Sequence, residues 1–119
     1  MSKRLDNLVA DNTLVLNNLE SFAAEQVKLA ESNPRGDANR PFNALLALDY
    51  FRQARDVAYR VFMELPREDP RLGEWETEYR RFQKLASRLE TRFALMMMSA
   101  NTLNGEGYLP RGNWMVTDE

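Results

Sequence analysis

Residues 72–103 read LGEWETEYRRFQKLASRLETRFALMMMSANTL. Within that stretch Leu72, Trp75, Tyr79, Phe82, Ala86, Leu89, Phe93, Met96, Ala100 and Leu103 recur at strict three- and four-residue intervals, and every one is apolar or aromatic. That spacing holds one side of an α-helix apolar along its whole length. Asp69-Pro70 just upstream supplies an N-cap and a proline suited to the first helical position. A helix over about 69–103 is roughly 50 Å long at ~1.5 Å per residue. Such a length predicts an elongated bundle, or a helix protruding into an assembly, rather than a compact globule.

Two further periodic segments precede it. Leu5, Leu8, Asn12, Val15, Leu19, Phe22, Gln26 and Leu29 give the alternating pattern of a helix over about 5–31. Val9, Leu16, Ala23 and Ala30 add a second column and widen the apolar stripe. Asn12 and Gln26 stand at seam positions, where a polar residue either fixes register or lies on a solvated edge. The loop around Asn33-Pro34-Arg35-Gly36-Asp37 ends this segment, and Pro41, capped by Asn39 or a neighbour, opens the next at about 41–65. Here the polar residues are the legible ones. Asp49, Arg52, Gln53, Asp56, Arg60 and Glu64 form a narrow stripe with opposite charges four apart. The rest is largely apolar, which predicts a central helix covered on two sides, or one side turned to a partner.

After Leu103 the helix cannot continue, because Gly105, Gly107, Pro110 and Gly112 follow in close succession. Residues 104–119 are expected to form an extended arm. Tyr108, Leu109, Trp114, Met115 and Val116 give that arm apolar anchors, which would dock either on its own bundle or on a neighbour.

Composition narrows the chemistry. The chain has 119 residues, no Cys and no His. One domain is the sensible count at that length. Without Cys there is no disulfide framework, thiolate metal site or cysteine nucleophile, and without His the usual general base and most transition-metal sites disappear. No enzymatic activity, cofactor or metal is therefore expected. The net charge of −2 lacks the basic excess of a dedicated nucleic-acid binder. No signal-peptide core follows Met1-Ser2-Lys3-Arg4-Leu5-Asp6, and no apolar run approaches the ~20 residues that span a bilayer. The expected location is the cytoplasm or the interior of a macromolecular assembly.

Three groups of side chains call for weighing. Arg81, Lys84, Arg88 and Arg92 share one broad helix face that could track phosphates, although a solvated or salt-bridged face accounts for them better. Met97 and Met98 beside Met96 either fill an irregular core or widen an adaptable contact patch. Glu74 and Glu78, one helical turn apart, sit where the helix dipole favours acids and need no metal to explain them.

The sequence thus predicts an all-α fold. Residues 1–103 form an antiparallel three-helix bundle or an elongated coiled-coil-like one, followed by the arm. The expected function is a non-catalytic helical protein-interaction module. It would self-associate or serve as a subunit of a larger complex such as a virion or secretion machine. The alternative is a small inhibitor, adaptor or chaperone-like protein that binds another protein, and the third reading is weak nucleic-acid binding through the basic face.

Overall fold

A computed structural model describes residues 3–33, 37 and 39–104, the side chains of 96–104 excepted. It consists of α1 (Lys3–Ser32), α2 (Asn39–Glu64) and α3 (Leu72–Asn104), with no strand among the described residues. The helices run antiparallel in chain order in a bundle 62 × 20 × 18 Å, so the expected elongated all-α architecture holds.

Local chemistry sets the boundaries. Asp37 Oδ1 accepts from the Asn39 amide at 2.8 Å, so α2 starts two residues earlier than expected and Pro41 falls inside its first turn. α2 ends at Glu64 just ahead of Pro66, and the Leu65 amide between them still reaches the Val61 carbonyl. Asp69 does cap the third helix, accepting from the Arg71 amide at 2.8 Å. The Leu72 amide then bonds the Asp69 carbonyl three residues back, a tight opening turn, and regular α-geometry begins only at Leu72. At the other end α3 runs through Asn104, so an arm cannot begin before 105. Tyr108, Leu109, Trp114, Met115 and Val116 lie outside the described residues, as do the side chains of Met97 and Met98.

The central position expected of α2 is confirmed, for it packs against both neighbours. Its inner face carries Ala44, Ala47, Ala54 and Ala58, all fully buried, and these small side chains let α1 and α3 close upon it. Large side chains come from the flanks. Phe82 of α3 is completely enclosed and stacks at 6.4 Å, centroid to centroid, on Phe51. Trp75, Leu89 and Leu16 complete this core, while Phe93 packs on Ala30 and Ala44 in a smaller layer at the far end. Seam residues Trp75 to Leu89 of α3 are therefore placed as the spacing predicts.

The seam of α1 is centred differently. Leu16, Ala23 and Ala30 are the buried residues, whereas Val15, Phe22 and Leu29 are 40%, 48% and 45% exposed. Close approach to α2 favours the alanine column, so the bulkier column turns outward. The expected ion pairs within α2 are also replaced. Arg52 reaches Glu90 of α3 at 2.8 Å, Asp56 takes the adjacent Arg55 at 3.0 Å, and Glu64 faces Arg4 of α1 at 4.0 Å. Arg52–Glu90 and Arg4–Glu64 tie α2 to its two neighbours, whereas Arg55–Asp56 stays within α2.

Candidate functional site

Two surfaces follow from this packing, one on each side of α1. The first is a cleft between α1 and α3. No Cα of α1 lies within 8 Å of one of α3 among the described residues. With each Cα standing ~2.3 Å off its axis, two helices packed directly on each other bring Cα atoms well within 8 Å, so these axes stand farther apart than those of a packed pair. Packed helices lie ~8–10 Å apart. α1 and α3 each pack on α2 but not backbone to backbone on each other.

The space between them is a cleft of about 570 Å³. Val9, Thr13, Leu16, Asn17 and Glu20 line it from α1, and Gly73, Glu74, Trp75, Thr77, Glu78 and Arg81 line it from α3. Leu16 and Trp75 are nearly inaccessible and form its floor. Thr13 and Thr77 turn their hydroxyls back to the carbonyls of Val9 and Gly73, at 2.7 and 2.9 Å, which leaves methyl groups and oxygen lone pairs for the surroundings.

Ion pairs between α1 and α3 stand at both ends. Near the start of both helices Arg71 Nη1 donates to Asp6 at 3.1 Å while Nε and Nη2 hold Asp69. Arg71, through side chain and backbone, pulls the Asp69 carboxyl down to about 2. Three turns on, Arg81 donates through Nη1 and Nη2 to both oxygens of Glu20, at 2.7 and 2.9 Å, and through Nη2 to Glu78 at 2.9 Å. Its guanidinium also lies 4.5 Å from the Phe82 ring centroid. The Arg81 hydrogen bond holds Glu20 below the usual carboxylate range against the opposing effect of partial burial, and the two carboxylates raise Arg81 in turn. Glu20 and Glu78 share this one guanidinium, and Glu74 lines the same cleft.

The basic face expected of α3 is thus partly consumed. Arg81 serves the bundle, Arg88 and Arg92 are half-buried, and of the four Lys84 is the exposed one. Glu78 is a salt-bridge partner, and among the described residues Glu74 joins no ion pair. The described residues contain no cluster of acids suited to a metal ion and no helix long and apolar enough to cross a membrane.

The second surface is the outer edge where α1 meets α2. Phe22 packs beside Tyr50 at 5.5 Å, and Asn43 bridges Gln26 and Asn33 at 2.9 and 3.0 Å. Gln26 is thereby half-buried and hydrogen-bonded, while Asn12 bonds the Leu8 carbonyl of its own helix. The polar seam residues accordingly satisfy themselves at the bundle margin, and Gln26 helps fix the α1–α2 register. This register brings Leu29 and Phe42, 45% and 56% exposed, to the same end of an edge already carrying Val15 and Phe22.

The cleft was not foreseeable from spacing, since its walls are residues about 60 apart in sequence that the third helix brings back to the first. Compared with protein-family models, with curated proteins and with solved structures, the chain shows no significant match.

Proposed function

We propose that the chain is a non-catalytic helical interaction module that self-associates, as a subunit of a larger assembly. The observation that supports this reading is the exposed column Val15, Phe22 and Leu29, spaced by seven residues along α1. Seven-residue spacing of apolar side chains is what a second helix meets in knobs-into-holes packing. A second copy of the same chain fits it. About a two-fold axis at Phe22 each Val15 meets the other copy's Leu29, which makes the edge self-complementary. Phe42 extends the apolar surface on α2. Tyr108, Leu109, Trp114, Met115 and Val116 carry further apolar anchors past Asn104, and in this reading they clasp the neighbouring copy.

Light scattering over a range of chain concentrations tests the proposal. The full chain is expected above monomer mass at micromolar concentration and Phe22→Glu at monomer mass, with unchanged circular dichroism. A chain ending at Asn104 is expected to associate more weakly than the full chain. A full chain that stays monomeric at every concentration would sink the reading.

A further inference from the structure

We infer that the cleft between α1 and α3 receives a short basic amphipathic helix of a partner protein, independently of self-association through the other edge of α1. The geometry comes first. Helices that stand farther apart than a packed pair leave a groove that a further helix can enter, placing it diagonally opposite α2 in a four-helix arrangement. From Val9 to Glu20 the groove runs about 17 Å, or three helical turns. Apolar side chains of the incoming helix meet the floor of Leu16 and Trp75.

Charge selects among occupants. Glu20 and Glu78 share Arg81, so the cleft keeps an acidic excess and Glu74 is left to meet an incoming cation. Residues 105–119 of the chain itself carry Glu106, Asp118 and Glu119 against one Arg111, the wrong sign for this site. A partner helix with Lys or Arg beside its apolar stripe has both the shape and the sign.

Gly73 is an independent pointer to the same place. It lies within α3 and lines the cleft, yet a Cβ built on it would meet nothing within 4 Å, and its backbone does not need a positive φ. Neither crowding nor conformation within the chain calls for glycine there. A bare backbone at that point lets another main chain approach closely.

The test is a titration of the full ¹⁵N-labelled chain with a 14-residue peptide of Leu at three- and four-residue intervals flanked by Lys, followed by amide NMR. Saturable shifts are expected at Thr13, Asn17, Gly73 and Thr77, and a Glu-for-Lys version of the peptide is expected to bind at least tenfold more weakly. Gly73→Leu and Glu74→Lys, both at exposed positions, should each weaken the Lys peptide at least tenfold while circular dichroism stays unchanged. Phe22→Glu should leave that affinity alone, which separates this site from the self-association edge. Equal binding of both peptides, shifts confined to the Phe22 edge, or no saturable shift at millimolar peptide would overturn the inference. So would a homodimer that Gly73→Leu abolishes, since a second copy would then fill the cleft.

Discussion

Arg81 and Glu20 are 61 residues apart in sequence, and their forked pair at 2.7 and 2.9 Å joins α1 to α3 where the two backbones stay apart. A lysine at 81 keeps the charge but offers one point where the guanidinium offers a planar fork to Glu20 and a further bond to Glu78. Both side chains of the pair are about 40% exposed, so solvent screening limits its worth to roughly 0.5–1 kcal/mol. Arg81→Lys is therefore expected to lower Tm by about 2–5 °C. A double-mutant cycle with Glu20→Gln should return a coupling of the same modest size. Unchanged thermal melts for Arg81→Lys would show that the fork does not hold the two helices.

Phe82 sets the opposite extreme. It is wholly enclosed, lies against Phe51, and has the Arg81 guanidinium over its ring. Phe82→Ala should cost about 3–5 kcal/mol, the range for emptying an aromatic site in a core that relaxes only partly. Against a typical total of ~5–15 kcal/mol, the variant should be marginally folded, with its urea midpoint shifted far down. A loss below about 1 kcal/mol would mean that the core collapses around the gap.

How much of this was legible in the chain depends on the helix. In α3 the seam holds Trp75, Phe82 and Leu89, large side chains without an apolar rival column, and the spacing placed them correctly. In α1 two columns compete. Val15, Phe22 and Leu29 are the more hydrophobic by size, while Leu16, Ala23 and Ala30 are the ones buried. Hydrophobic periodicity weights bulk, but a close helix crossing selects small side chains, so the true seam was displaced by one position. The cleft was invisible for a different reason. It exists because α1 and α3 stand apart around α2, a tertiary distance that no local pattern encodes. Of its residues Val9, Leu16 and Trp75 were legible as apolar helix faces and Glu74, Glu78 and Arg81 as charged ones, but none for its part in a cleft.

The alanines of α2 make the close packing testable. Ala54 is fully buried on the face that both neighbours approach. Ala54→Leu adds bulk at a position with no exposed surface, and overpacking of that kind costs roughly 1–3 kcal/mol. Chemical denaturation should register the loss even though leucine is the better core former by hydrophobicity. Equal or higher stability in the variant would show that α2 has room on its inner face.

Acid should destabilise the chain in a defined window. The folded-state pKa of Asp69 is lowered to about 2, and that of Glu20 is also lowered, each by the arginine it accepts from. A carboxylate lowered on folding lends stability above its unfolded pKa of ~4 and loses it as pH falls through the folded value. Melting temperature should accordingly hold nearly level, as far as these groups are concerned, from pH 7 to 5, and fall between about pH 4 and 2. Asp69→Asn removes the charge while keeping a capping side chain, so its melts should start lower at pH 7 and lose less on acidification. A variant with the same acid slope as the parent would put the acid sensitivity elsewhere.

Gly73 offers a prediction in which folding and binding oppose each other. Alanine at this helical position should stabilise the free chain by roughly 0.5–1 kcal/mol, because glycine has more backbone freedom to lose on folding. Open space around the site means the added methyl meets no neighbour, so no packing loss offsets that gain. Thermal melts of Gly73→Ala should therefore run a few degrees above those of the parent. If the same variant also binds the Lys-rich helix more weakly, glycine there is retained for the approach of another chain at some cost in stability. A melt at or below the parent value would instead show that Gly73 serves the fold itself.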